Sequence, residues 1–187
     1  TPSMSIKKWG IDSTWTLFLD RDGVINERVF DGYILTVSEF NFIDGVKKSL
    51  SLLKRHFNLS FIVTNQQGIA KGLMTERNLI DIHAYMCDQI LQSGGKIDQC
   101  YFASNIRGAQ NDTRKPKPAM ALAAKRDFSE IDFKQSVMVG DTDSDILFGK
   151  NIGMKTVRIK TKEKIGIEAD CTVESLYEFA KMIENEI

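Results

Sequence analysis

Five short runs dense in apolar and β-branched residues punctuate the chain, at positions 15–19, 59–64, 97–103, 136–140 and 155–159. Each is short for a helix and is flanked by polar or turn-forming residues, the pattern of strands buried on both faces. Between them the apolar period changes to three or four residues, which predicts helices over 44–56, 75–92, 119–128 and 143–151, with a last helix over about 174–186. In the first of these Val46, Leu50 and Leu53 share a face. In the second the stripe is Leu79, Ile82, Met86 and Ile90, with Thr75 as N-cap, Gly94-Gly95 as stop and His83 expected to border the stripe. Strand and helix alternate throughout. This predicts the α/β class: a three-layer, doubly wound parallel sheet of Rossmann-like type, with helices on both faces and right-handed crossovers. Ligands of such sheets bind beyond the carboxyl ends of the strands. Two longer irregular stretches, 21–43 and 104–118, each follow a predicted strand and are expected to overhang that edge.

The residues with chemical potential gather at those strand ends. The first run passes directly into Asp20-Arg21-Asp22-Gly23, so two carboxylates leave an apolar strand two positions apart. One carboxylate can attack phosphorus while the other moves protons, and Gly23 permits a sharp turn close to a ligand. Alone, the pattern also fits a strand running into an Asx turn. The second run ends in Thr64-Asn65-Gln66-Gln67-Gly68, a hydroxyl and turn-forming amides that can hold phosphoryl oxygens, although Thr64 alone also reads as a strand end or helix cap. Arg114-Lys115-Pro116-Lys117-Pro118 keeps cations in a loop, where a fixed ammonium can offset a phosphoryl group; alone, it also fits a solvated connection. The fourth run ends in Gly140-Asp141-Thr142-Asp143-Ser144-Asp145, an oxygen-rich set that suits magnesium. Asp141 is the metal contact read there, because Asp143 and Asp145 fit equally well as acids in a first helical turn.

Composition narrows the partners. With 187 residues, 42% of them hydrophobic, the chain can bury one sizeable core, expected as a single domain over 15–187 preceded by an N-terminal extension, 1–14. Lys+Arg and Asp+Glu are equal at 25 each, so no overall field draws the chain to nucleic acid or an anionic membrane, and a small diffusible substrate fits better. The longest apolar stretches, 59–63 and 136–139, fall far below the roughly 18 residues of a membrane span, and residues 1–10 lack the apolar region of a secretory signal. A cytoplasmic monomer is expected. Cys87, Cys100 and Cys171 form an odd, widely spaced set without a CxxC pattern and are expected to be reduced, partly buried thiols.

Four strand-end segments in this order resemble the haloacid dehalogenase-like phosphatase superfamily, over nearly the whole chain after Trp15. The resemblance implies Asp20 as nucleophile, Asp22 as general acid and base, Thr64 as a phosphoryl-binding hydroxyl and Lys115 as the cation ordering nucleophile and phosphate. It also implies magnesium held by Asp20, the Asp22 backbone carbonyl and Asp141. Neither of the superfamily's usual cap insertion points has room here, so a capless core with a loop-covered site is expected. Among capless members, Asp20 to Asn26, Gly32-Tyr33-Ile34, Thr64 to Gly72 and Arg114 to Met120 are similar to the D-glycero-D-manno-heptose 1,7-bisphosphate phosphatases. These remove the C7 phosphate of a phosphorylated sugar on the way to surface polysaccharides such as lipopolysaccharide. Arg114 is then expected to contact the sugar or its distal phosphate, with Asn65 and Gln66 bordering the pocket. One departure concerns a zinc loop common in that family. Its four ligand positions correspond to Ala103, Asn105, Asn111 and Thr113, so no zinc is expected.

Three alternatives stand beside this reading. Histidinol-phosphate phosphatases share the capless core, but Asn26 and Gly32-Tyr33-Ile34 favour the heptose reading. A polynucleotide 3'-phosphatase would use the basic run 107–117 on a nucleic acid backbone, against which the balanced charge weighs. A non-catalytic sugar-phosphate binding protein is the third, since fold does not fix function, but every residue the chemistry requires is present.

Overall fold

A computed structural model describes residues 6–187, in which the unbroken apolar runs become the centre of one sheet. The strands are β1 (Thr16–Leu19), β2 (Leu59–Asn65), β3 (Gln99–Ala103), β4 (Ser136–Gly140), β5 (Lys155–Ile159) and β6 (Cys171–Val173). They are ordered β3-β2-β1-β4-β5-β6, every neighbouring pair parallel. The two unbroken runs at the centre, β1 and β4, are buried at every residue. At the edges, β3 is partly exposed and begins at Gln99, two positions later than the pattern predicts. β6 was not foreseen, because three residues are too few to show a period.

The helices are α1 (Val46–Leu53), α2 (Glu76–Gln92), α3 (Ala119–Asp127), α4 (Asp143–Asn151) and α5 (Leu176–Glu186). Thr75 caps α2 through a reciprocal box with Asn78, as its position suggested. α1 is shorter than the predicted 44–56 because Gly45, at φ +83°, cannot continue a helix backwards. Side chains alternate across the pleat, so Leu17 and Leu19 of β1 face a core shared with α1, α2 and α5, whereas Phe18 faces a second core with α3 and α4. The three predicted layers follow.

Ile6 and Ile11 are buried in the first core, so the described part of the 1–14 segment packs onto the sheet; its first five residues lie outside the described residues. One local expectation, that of His83, needs correction, whereas the cysteines are reduced thiols as expected. His83 is not at the border of the α2 stripe but buried within it, 7% exposed, because Arg21 reaches under the helix to meet it. Cys87 and Cys100, though far apart in sequence, meet across α2 and β3 with Sγ atoms 3.7 Å apart as free thiols. Among the described residues no helix is long and apolar enough to cross a membrane.

Candidate active site

The last residue of β1, Leu19, pairs with Ile62 on one side and Val139 on the other, so β4 ends one residue and β2 three residues beyond it at the same edge. Asp20 thus leaves the sheet where the chain's crossovers depart in opposite directions, to β2 on one flank of β1 and β4 on the other. That crevice is where doubly wound sheets bind ligands. The Asp20 N–H donates to the Val139 carbonyl at 3.0 Å and fixes the residue at the edge.

Lys115 enters the crevice from the loop before α3. Its Nζ lies 2.8 Å from Asp20 Oδ1, 2.7 Å from Asp145 Oδ1 and 2.7 Å from the Val63 carbonyl, which uses all three donors. Burying an ammonium costs several kcal/mol when it is unpaired. Here burial opposes the charge, but the Asp145 and Asp20 carboxylates outweigh it and push the Lys115 pKa up. For Asp20 the balance is reversed: burial, then the Asp145 charge, raise its pKa well above the usual range despite Lys115. Asn65 braces this loop, accepting from the Lys115 N–H at 2.9 Å and donating to its carbonyl at 3.3 Å.

Asp141 stands across from Asp20. Burial and then Asp145 push its pKa up to about 6, opposed by Arg28, whose Nη1 donates to Asp141 Oδ2 at 3.0 Å and pairs with Glu163 at 2.9 Å. The approach is so close that a Cβ on Gly23, itself at φ +86°, would lie 2.4 Å from Asp141 Oδ2. The two later acids divide. Asp145 closes the capping box of α4 with Thr142 and pairs with Lys115, so it belongs to the site. Asp143 also lines the pocket, but its carboxylate is bonded to Arg158 and to the Gly166 and Ile167 N–H groups, holding the loop after β5.

Asp22 sits in a different field. Its Oδ1 accepts from Arg21 Nη2 at 2.8 Å and Asn26 Nδ2 at 2.9 Å, and its Oδ2 from Gln66 Nε2 at 3.1 Å. Burial alone would raise its pKa, but the Arg21 charge and these hydrogen bonds hold the carboxyl below the usual range. Gln66 also donates to Thr64 Oγ1 at 2.9 Å. Thr64 and Gln66 are each 1% exposed and are not among the residues lining the pocket, so the structure places them behind it; Asn65, Arg114 and Lys115 line it.

The pocket has a volume of about 420 Å³. Its lining adds Arg28 and 32–34 from the first loop, Arg107 and Arg114 from the second, and Glu163 and Lys164 from the loop after β5. Arg28, Glu163 and Lys164 were not foreseen from the sequence, nor were Arg21 and His83 behind Asp22; Arg107 was singled out only as part of the basic run 107–117. For Glu163 and Lys164 a signal existed, since they follow a strand's carboxyl end as the other site residues do.

The residues fit a divalent cation bound through oxygen. Asp20, Asp141 and Asp145 each bring a carboxylate oxygen within 4.8 Å of the others, and Asp141 Oδ1 is buried without a hydrogen-bond partner among the described residues. Among the described residues, Lys115 and Arg28 are the cations ion-paired with these three acids. An all-oxygen set of this kind suits magnesium. Asp145 is taken up by Lys115 and by the Asp141 and Thr142 N–H groups, which leaves Asp20 and Asp141 to face an ion.

A family model described as HAD-hydrolase-like matches residues 112–177. A D-glycero-alpha-D-manno-heptose-1,7-bisphosphate 7-phosphatase of Campylobacter jejuni is 36% identical over 151 residues, 81% of this chain and 85% of that protein. A D-glycero-beta-D-manno-heptose-1,7-bisphosphate 7-phosphatase of Vibrio cholerae is 38% identical over 157 residues, 80% and 83% of the two. The chain belongs to this family. Like other heptose-1,7-bisphosphate 7-phosphatases it has the HAD-like α/β fold, and it is a phosphatase acting on phosphoric monoesters. A solved structure of a D,D-heptose 1,7-bisphosphate phosphatase from B. bronchiseptica, complexed with magnesium and phosphate, superposes with a TM-score of 0.84 at 25% identity, covering 92% of this chain and 99% of that one. HAD phosphatases use magnesium, in keeping with the buried acids.

Proposed function

We propose that the chain removes the C7 phosphate of D-glycero-D-manno-heptose 1,7-bisphosphate, carrying the phosphoryl group transiently on Asp20. Lys115 holds Asp20 Oδ1, which leaves Oδ2 as the attacking oxygen. Attack forms the bond from Asp20 to phosphorus and breaks the bond from phosphorus to O7, and Asp22 gives O7 its proton. Asp22 is ionised in the free enzyme, and takes up that proton as the anionic ester enters and opposes its charge. Asp22 then removes a proton from the water that hydrolyses the aspartyl phosphate. Magnesium, held by the carboxylates of Asp20 and Asp141 and the backbone carbonyl of Asp22, would neutralise charge between nucleophile and ester. Thr64 serves indirectly, through Gln66, rather than by touching the phosphoryl group.

The observation that carries the substrate is Arg114. It is 8% exposed, its Nη1 is buried without a hydrogen-bond partner, and it lines the same pocket as Arg107 and Asp20. Two guanidinium groups and one unmet donor suit a second anionic group on the substrate, as a bisphosphate has. They oppose the ammonium of histidinol phosphate. The 104–118 loop that presents them is held by hydrogen bonds, which supports a zinc-free loop: Thr113 donates to Asn105 from its N–H and hydroxyl, and Asp112 accepts from the Gly108 and Arg114 N–H groups.

Phosphate release under identical magnesium tests this reading, with both anomers of the heptose bisphosphate, histidinol phosphate and a 3'-phosphorylated oligonucleotide as substrates. The heptose bisphosphate is expected to give a kcat/KM about 10,000-fold or more above the others, the scale of discrimination when buried polar groups are left unmatched. Equal or greater turnover of histidinol phosphate would overturn it.

A further inference from the structure

Arg21 has no exposed surface, and its Nε has no hydrogen-bond partner among the described residues. Its Nη2 donates to Asp22 Oδ1 at 2.8 Å, and its Nη1 lies 3.2 Å from His83 Nε2. The Phe40 ring lies 5.8 Å from the guanidinium carbon. We infer that His83 is a positioning residue for the reaction: through Arg21 it holds the Asp22 carboxylate in one orientation, with Oδ1 tied back into the protein and Oδ2 presented for proton transfer. The inference rests on the assignment of Asp22 as general acid and base made above.

Three physical points lead there. A guanidinium is planar and rigid, so fixing Nη1 at His83 also fixes the direction in which Nη2 points at Asp22. Arginine only donates, so His83 Nε2 accepts, and a neutral ring with its proton on Nδ1 is the required tautomer. Burial, reinforced by the Arg21 charge, keeps that ring neutral. At Asp22 the donors are unequal: Oδ1 accepts from both Arg21 and Asn26, and Oδ2 only from Gln66. Oδ2 therefore keeps free lone-pair capacity, and Asp22 is among the residues lining the pocket. Helix α2 supplies none of the lining, so His83 connects the helix to the chemistry from behind.

The test combines variants with a double-mutant cycle, measured on the magnesium-loaded protein. His83→Leu removes the acceptor and is expected to lower kcat about ten- to a hundred-fold, the effect of a small misplacement of a reacting group, with KM within about two-fold. His83→Gln, whose Oε1 can accept from Arg21, is expected to recover most of that loss. In an Asp22→Asn background His83→Leu is expected to cost nothing further, because its effect runs through Asp22. A further loss of the same size in that background, or a change in KM alone, would overturn the inference. If Asp22→Asn itself keeps the wild-type rate, the reading of Asp22 fails first; if Asp22→Asn falls and His83→Leu does not, only the role of His83 fails. Should His83→Leu not fold, nitrogen-15 shifts of the wild-type protein decide, since His83 is one of only two histidines. A bare Nε2 with the proton on Nδ1 supports the arrangement, and a proton on Nε2 overturns it.

Discussion

Asp20 and Asp22 stand two positions apart on one strand end, yet their surroundings push them in opposite directions. Burial and Asp145 raise Asp20, whereas Arg21 and three hydrogen bonds lower Asp22. A nucleophile must be ionised and a general acid protonated, so both directions oppose the assigned roles until a cation beside Asp20 and an anionic ester beside Asp22 reverse them. Asp22→Asn keeps the shape and loses the proton, so kcat is expected to fall by about 100-fold to 10,000-fold in a steady-state assay with magnesium. Near wild-type turnover would mean that another group moves the proton. The two lysines of the proline loop separate as sharply. Lys115 is 4% exposed and bonded to two carboxylates, whereas Lys117 is exposed. Lys115→Ala leaves Asp20 and Asp145 facing each other unpaired and is expected to lose both turnover and thermal stability, while Lys117→Ala keeps both. Equal losses from the two variants would remove Lys115 from the site.

At the scale of elements, α2 and the 104–118 loop make separate commitments. The neutral His83 under α2 has its pKa lowered from 6.5 to about 3 by burial and then by the Arg21 charge. A histidine lowered on folding favours the folded state fully above its unfolded pKa. That contribution is lost as pH falls from about 6.5 towards 3, where the unfolded chain binds the extra proton. Chemical denaturation of the wild type against His83→Gln is therefore expected to show a steeper loss on acidification for the wild type, by at most about 1.4 kcal/mol per pH unit from one proton. Parallel profiles would show that His83 is not held neutral. The loop makes a different claim. Asn105 and Thr113, two of the four positions that the family resemblance sets against zinc ligands, are hydrogen-bonded to each other, at 2.7 Å between side chains. Purified protein is expected to contain no stoichiometric zinc, and a zinc-selective chelator to leave its melting temperature unchanged; about one zinc per chain, lost together with stability, would contradict this.

Across the whole molecule, what was legible in the sequence was what depends on local pattern. Unbroken apolar runs marked the strands, and the acids directly after them marked Asp20, Asp22 and Asp141, because a parallel sheet brings all its carboxyl ends to one edge, while the proline-held basic loop before α3 marked Lys115. What was not legible depends on where loops return. Arg28 meets Asp141 across 113 positions, and nothing near Arg28 in the chain announces that contact. His83 looked like a polar residue beside an apolar stripe, because only the fold puts an arginine beneath it. Thr64 and Gln66 were read at the right strand end, but neither lines the pocket: Gln66, just past β2, donates to Asp22 and to Thr64, still within the strand.

The central claim is that Asp20, and not Asp22, carries the phosphoryl group, and the chain provides a direct test. Enzyme mixed with heptose bisphosphate and magnesium is quenched within a turnover and treated with borohydride, which reduces an aspartyl phosphate to homoserine. It is then digested with trypsin. Cleavage after Arg21 separates the two acids, placing Asp20 in the peptide 9–21 and Asp22 in the peptide 22–28. Mass spectrometry is expected to find homoserine at position 20, with 22–28 unmodified and no conversion in Asp20→Asn. Homoserine at position 22, or none at either position while phosphate is released, would contradict the account.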